Sequence, residues 1–263
     1  MSDLKLDRRE FLKYVGLAGG GVLVARLFAS GRVSPLDAAD ASAGDVASSA
    51  RSQHRWAMVI DQSKCIGCNY CTYACKATND IPGKAQWNTV SVEANVNKGP
   101  VYLPRPCMHC ENAPCVEACP VKATYHRADG LVTTDYDKCI GCRYCEVACP
   151  YGARVFNWQD PTKLSNDYVP KWGAPEVPRR PRGIVEKCTF CEHRIDRGLA
   201  NGKTPGVDRE ATPACVNVCP VGARLFGDLN DPTSPVSQVL AGRRSFRLRD
   251  DLGTNARVYY LPA

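Results

Sequence analysis

The sequence predicts an α+β fold made of two small, similar modules, built from short β-hairpins and short helices, with loop insertions. Three observations predict it. The 263-residue chain carries 16 cysteines, which fall into four sets of four with none left over. Stretches around those cysteines repeat along the chain. The apolar inventory is thin, because the 44% hydrophobic content counts the cysteines and many alanines while aromatic residues supply only 8%. Such a composition does not build a conventional core, so bound metal is expected to supply much of the folding free energy.

The first set is Cys65, Cys68, Cys71 and Cys75, and the second is Cys107, Cys110, Cys115 and Cys119. The third is Cys139, Cys142, Cys145 and Cys149, and the fourth is Cys188, Cys191, Cys215 and Cys219. The third set reads C-x2-C-x2-C-x3-C-P, the run that holds cubane iron–sulfur clusters in bacterial two-cluster ferredoxins. Three thiolates at three-residue steps curl around one face of a cube, and backbone N–H groups of the loop turn towards the sulfurs. The fourth cysteine lies one helical turn further on and ligates the other cluster of the pair. Four complete sets therefore predict four [4Fe-4S] clusters. Pro120, Pro150 and Pro220 follow the fourth cysteine and redirect the chain, whereas Lys76 stands there in the first set. A zinc reading fits paired C-x2-C elements, but a third cysteine at the same spacing followed by C-x3-C-P is not a zinc-ribbon pattern.

The formal charge of +7 counts the thiols as neutral. Each cubane with four thiolates carries roughly −2, so four bring about −8 and leave the loaded chain near neutrality. The basic balance compensates the clusters, and nucleic-acid binding is not expected.

At the amino terminus, Asp7-Arg8-Arg9-Glu10-Phe11-Leu12-Lys13 precedes an apolar, glycine-rich stretch from Tyr14 to about Ser30. Two arginines, then Phe-Leu-Lys, then an apolar run resemble a twin-arginine export signal. Arg26 and four glycines interrupt that run, which makes it poor for spanning a bilayer, where about twenty apolar residues are needed. Residues 1–43 are read as this signal segment and 44–54 as linker. The twin-arginine route is expected to carry folded proteins, so clusters can be inserted before export. No later apolar stretch approaches membrane-spanning length, so if the protein works at a membrane, something else is expected to anchor it.

Lys64–Cys75 (KCIGCNYCTYAC) and Lys138–Cys149 (KCIGCRYCEVAC) agree at nine of twelve positions. Cys149–Phe156 (CPYGARVF) matches Cys219–Phe226 (CPVGARLF), and Cys115–Ala123 (CVEACPVKA) matches Cys215–Ala223 (CVNVCPVGA). Between the second and third sets, Asp129-Gly130 is a turn signal between two strand-like runs and predicts a β-hairpin. Short helices are expected after each C-x3-C. Residues 76–106 and 157–187 are cysteine-free insertions punctuated by proline and glycine, and the stretch between Cys191 and Cys215 reads as an exposed loop.

Three further segments carry a resemblance. They are Val59-Ile-Asp-Gln-Ser-Lys-Cys65, Cys107-Met-His-Cys-Glu-Asn-Ala-Pro-Cys115, and Lys187-Cys-Thr-Phe-Cys191 with Pro213-Ala-Cys215. With the four cysteine sets, they make residues 55–227 resemble the four-cluster iron–sulfur subunits of molybdopterin oxidoreductase complexes, of the polysulfide, dimethyl sulfoxide and tetrathionate reductase type. The resemblance implies a pairing of sets one with four and two with three, each pair in one bacterial-ferredoxin-like dicluster module. Residues 55–106 and 160–227 would form the first module, 107–159 the second, and 228–263 a C-terminal tail. Cys65, Cys68 and Cys71 would share a cluster with Cys219, and Cys188, Cys191 and Cys215 one with Cys75. Cys107, Cys110 and Cys115 would join Cys149, and Cys139, Cys142 and Cys145 would join Cys119. The implied partners are an exported catalytic subunit with a molybdenum or tungsten bis-pterin cofactor and an integral membrane, quinone-reactive subunit.

His109 and His193 stand in or beside sets that already hold four ligands, so places beside the clusters or on the surface are expected for them. Arg154 and Arg224 follow C-P-x-G-A in two repeats. Two roles fit them equally, stabilising an added electron or simple salt-bridging in solvent. Trp87, Trp158 and Trp172 lie in the insertions and either pack against partners or cover clusters. No Ser/His/Asp arrangement, phosphate loop or dinucleotide fingerprint occurs. The chain is therefore expected to be an electron-transfer subunit and not itself an enzyme, located peripherally on the periplasmic, outer face of the cytoplasmic membrane. A relay serving a hydrogenase or a cytochrome-containing complex is the first alternative. An enzyme whose cluster binds substrate is the second.

Overall fold

The computed structural model describes residues 53–95 and 99–263. The expected signal segment 1–43 and nearly all of the 44–54 linker lie outside the described residues. Among the described residues the strands are short: β1 (Trp56–Asp61), β2 (Thr89–Asn95), β3 (Gly99–Arg105), β4 (Thr124–His126), β5 (Val132–Thr134), β6 (Arg154–Phe156), β7 (Val185–Lys187), β8 (Arg224–Asp228) and β9 (Val258–Leu261). The helices there are α1 (Tyr70–Thr78), α2 (Pro114–Glu117), α3 (Tyr144–Ala148), α4 (Glu192–Ala200), α5 (Ala214–Asn217) and α6 (Pro235–Gly242).

The expected hairpin is present. β4 and β5 pair antiparallel with Thr124 opposite Thr134, and Gly130 takes the left-handed φ of +76° that the Asp-Gly turn calls for. The same unit recurs with its strands far apart in sequence, β8 pairing antiparallel with β1 so that Arg224 faces Ile60. The likeness extends to single bonds. Asp135 donates its N–H to the carbonyl of Ala123, and Asp61 donates to Ala223, both at 2.7 Å. β6 and β7 form a second antiparallel pair, with Arg154 opposite Lys187.

The short helices differ in place from the expectation. α1, α2, α3 and α5 each begin one residue before the third cysteine of a set and span the C-x3-C step instead of following it. Three intervening residues are about one helical turn, and a proline directly after the fourth cysteine bars continuation. Lys76 removes that bar in the first set, so α1 runs on to Thr78. The Lys76 side chain is buried and donates to the carbonyls of Gly83 at 2.6 Å and Ala85 at 2.7 Å, tying down the turn that follows.

The cysteine-free insertion 76–106 contains a regular hairpin, β2 with β3, in register from Thr89 opposite Arg105 to Asn95 opposite Gly99. Its Tyr102 ring lies so close to Gly67 that a Cβ there would stand 2.2 Å from a ring carbon. The insertion after β6 returns over α1, where Trp172 packs on Tyr70 and Tyr73. Arg179 holds Asp80 through two bonds of 2.9 Å, and Arg180 stacks over the buried Trp87.

Residues 228–263, set apart as a tail by their polarity, are woven into the body. β9 pairs parallel to β1, completing a sheet of order β8-β1-β9. The backbone of Thr254 and Asn255 accepts N–H bonds from Asn112 and Glu111 in the second cysteine loop. The main core runs from Trp56, Met58 and Tyr260 through eight buried cysteines to Phe190, Phe226 and Val185. Among the described residues no helix is long and apolar enough to cross a membrane.

Candidate metal centres

The sixteen cysteines come together in four groups, and the groups cross the linear sets. Cys65, Cys68, Cys71 and Cys219 line one small cavity together with Arg224. Cys139, Cys142, Cys145 and Cys119 line another. Cys75 is surrounded by Cys188, Cys191 and Cys215, and Cys149 by Cys107 and Cys115, with Cys110 among the same neighbours. Among the described residues no three Cys, His, Asp or Glu side chains converge tightly enough to hold a single metal ion. Sixteen soft thiols around such spaces suit clusters.

Local backbone explains how each loop wraps. In the two near-identical loops, Gly67 and Asn69, then Gly141 and Arg143, all take left-handed φ between 62° and 72°. That conformation turns successive N–H groups to one side, the concave anion-binding arrangement of a backbone nest. Strands leaving the fourth cysteine add direct N–H···S bonds, from Ala223 to Cys219 Sγ at 3.2 Å and from Thr124 to Cys119 Sγ at 3.4 Å. Asn79 donates through Nδ2 to the sulfurs of both Cys75 and Cys191 at 3.7 Å.

The groups lie in a row. Cys71 of the first faces Cys75 and Cys215 of the second. Cys188 of the second faces Cys107 of the third, and Cys115 of the third faces Cys145 of the fourth. Exposure follows the same order. All four cysteines of the Cys75 group are buried, whereas in each end group only the inward-facing Cys71 or Cys145 is, and Cys142 is exposed. Burial and the neighbouring thiols push Cys110 and Cys188 up to about 12 and Cys75 well above its ordinary value. Thiolates therefore require a bound cationic partner in place of their protons.

Arg154 and Arg224 are neither solvated nor salt-bridged among the described residues. Each is only 4% exposed, and neither meets a carboxylate among the described residues. Arg154 donates Nη1 to Thr124 Oγ1 at 3.2 Å, while its buried Nε and Nη2 have no partner there. Its neighbours are Cys115, Cys107 and Cys145, from both groups of that half. Arg224 donates Nη2 to Asn88 Oδ1 at 2.7 Å and stands among Cys71, Cys215 and Cys219. Burial works against both charges, and the surrounding cysteines outweigh it, so both guanidiniums stay firmly protonated.

His109 is fully buried and accepts the Val132 N–H through Nδ1 at 3.1 Å. His193 sits 3.6 Å from Glu176, and burial lowers it to about 4. Trp87 is internal, Trp172 covers α1, and Trp158 is exposed beside the fourth group with Arg143 stacked on it. Asn79, Asn88 and Thr124 were not singled out by sequence reasoning, since nothing in their local spacing marks them.

The sequence matches the 4Fe-4S dicluster domain family over residues 100–165, and a second family of the same description over residues 51–123 and 138–223. It is 42% identical to the menaquinone reductase iron-sulfur cluster-binding subunit of Nitratidesulfovibrio vulgaris, over 79% of this protein and 88% of that one. It is 35% identical to a tetrathionate reductase subunit from Salmonella typhimurium, over 97% and 88%. With a polysulfide reductase chain from Wolinella succinogenes it shares 36%, over 79% and 94%. Two dicluster matches and sixteen cysteines fit four [4Fe-4S] clusters.

Proposed function

This protein belongs to the 4Fe-4S dicluster family of reductase iron–sulfur subunits, and on that footing we propose that it is an exported electron-transfer subunit. In this reading it relays electrons through four [4Fe-4S] clusters between a molybdopterin catalytic subunit and a membrane quinone-reactive subunit, at the outer face of the cytoplasmic membrane. The observation that carries it is the row of four cysteine groups, buried in the middle and open at both ends.

The clusters supply one-electron transfer, and the chain supplies everything else. Three cysteines of one set and the last of its paired set would hold each cluster: Cys65, Cys68, Cys71 with Cys219; Cys188, Cys191, Cys215 with Cys75; Cys107, Cys110, Cys115 with Cys149; and Cys139, Cys142, Cys145 with Cys119. Buried Cys71 and Cys145 face the next group inward, which keeps the spacing short. At the end carrying Cys142, Ile140 and Tyr144 are each 63% exposed and Val147 is 84% exposed, an apolar collar suited to a protein partner. Ile66, Tyr70 and Val221 form a smaller collar at the other end. Export rests on Arg8-Arg9 and the apolar run after it, and the membrane partner on the relatives' membership of multi-subunit reductases.

The test is anaerobic isolation of this chain, tagged, from membranes of cells that make it. A catalytic and a membrane subunit should co-purify, and quinol should reduce the iron–sulfur signals seen by EPR while the terminal acceptor reoxidises them. Zinc in place of iron, or a cluster signal perturbed by substrate in this chain alone, would overturn the reading.

A further inference from the structure

We propose that Arg154 and Arg224 are potential-setting residues, each fixing one permanent positive charge in the gap between the two cysteine groups of its half and raising the reduction potentials of both together. The inference rests on the reading that those groups hold clusters.

The geometry is the same in the two halves. Each arginine opens the strand that follows a C-P-x-G-A turn, β6 or β8, and each is buried where two groups approach. Arg154 stands among Cys107 and Cys115 on one side and Cys145 on the other. Arg224 stands among Cys71 and Cys219 on one side and Cys215 on the other.

The partners leave that charge unspent. The buried Arg180, by contrast, ends on a carboxylate, that of Glu186 at 2.8 Å. Arg154 and Arg224 meet no carboxylate: Arg154 ends on the Thr124 hydroxyl and the Cys115 sulfur, and Arg224 on the Asn88 amide and the Met58 sulfur. Arg154 leaves Nε and Nη2 without any partner among the described residues. An unneutralised cation in a poorly screened site acts on whatever charge sits beside it. Here that charge is the electron added to either flanking group, and stabilising it raises the potential. Because the guanidinium lies between the two groups, both shift in the same direction and the step between them stays nearly level.

The first two cysteine sets lack this residue. The place after the second set's turn is taken by Thr124, and Lys76 follows the first set but donates to the carbonyls of Gly83 and Ala85. One arginine per half is therefore the pattern.

The experiment is an EPR-monitored redox titration of the full chain in its complex, comparing the parent with R154Q, R154K, R224Q, R224K and N88D. In R154Q the one-electron reduction constants of the two clusters around Arg154 should fall at least tenfold, about 59 mV, while the other two hold their values. R224Q should do the converse, and each lysine variant should restore most of the loss. N88D leaves Arg224 in place but neutralises it, so it should copy R224Q with full iron content. Should R224Q fail to retain iron, N88D decides. Unchanged potentials in iron-replete variants, or lysine variants as low as the glutamine ones, would overturn the inference. A parent chain without iron–sulfur signals would instead sink the functional reading beneath it.

Discussion

His109 and Phe190 meet ring against ring, with centroids 3.9 Å apart, joining the Cys107 loop to the Cys188 loop. Each stands immediately before the second cysteine of its loop, Cys110 or Cys191, and each takes a left-handed φ, 42° and 54°. Two equivalent loop positions thus form the joint between the inner groups, where Cys107 faces Cys188.

That joint is a packing element before it is anything else. Phe190 also sets its edge on Phe226, at 5.5 Å. Phe190→Ala should cost about 3–5 kcal/mol in denaturant unfolding, the range for removing a buried phenyl ring. Phe190→Leu, which keeps most of the volume, should cost about 1.5 kcal/mol or less. Equal losses for both would show that the ring contact contributes nothing specific.

The crossed cysteine groups predict a non-additive pattern. Cys219→Ser and Cys65→Ser should each remove about a quarter of the iron, one cluster of four, and their double variant should remove no more than either alone. Cys65→Ser with Cys75→Ser should remove about half. Iron analysis on chains purified without oxygen reads this directly. If Cys65 and Cys75 behaved as members of one site, the crossing would be wrong.

Glycine matters unequally in the cysteine loops. A Cβ at Gly141 would stand 2.0 Å from the carbonyl oxygen of Gly183, a backbone atom that cannot step aside. Gly152 has a similar left-handed φ of 59° but open space around it. Gly141→Ala should therefore distort the Cys139–Cys142 loop and deplete its cluster. Gly152→Ala should keep all the iron and lose about 1–2 kcal/mol of stability to backbone strain. Full iron in both variants would refute the steric argument.

The Asp80–Arg179 pair gives an acid-side prediction. Arg179's hydrogen bonds are the main cause holding the Asp80 carboxyl below its ordinary value, with burial opposing them. A lowered folded pKa stabilises above the unfolded value, near 4, and that stabilisation disappears as pH falls through the lowered one. Asp80→Asn should thus cost about 1–3 kcal/mol near neutrality, and its deficit against the parent should shrink as pH falls from about 5 through the lowered value. A deficit independent of pH in urea titrations would rule the linkage out.

Much of this arrangement is legible in the sequence because cysteine spacing is dictated by cluster geometry. The four sets, the Asp129-Gly130 hairpin and the chain reversal at Pro120, Pro150 and Pro220 all follow from local chemistry. The β2–β3 hairpin does not, since Pro100 and Pro104 within β3 remove the donors by which a strand is ordinarily recognised. Nor does the pairing of β9 with β1, because four apolar residues carry no record of which distant strand they will join. The arginines mark the limit most clearly. CPYGAR and CPVGAR are visible in the sequence, but whether a guanidinium ends on a carboxylate or on Thr124 and Asn88 depends on strands placed by the fold.

The sheet of order β8-β1-β9 joins an early strand to the two latest ones in the chain, and this dictates a schedule for manufacture. A ribosome delivers β1 first, yet nothing exists for it to pair with until residues past 224 have emerged. The stretch from Cys107 to Phe156, by contrast, holds the whole β4–β5 hairpin and can settle while synthesis continues. Among the described residues, closure of this sheet therefore waits for β8 and β9. A variant lacking β9 would keep every thiol and still leave one edge of β1 unpaired.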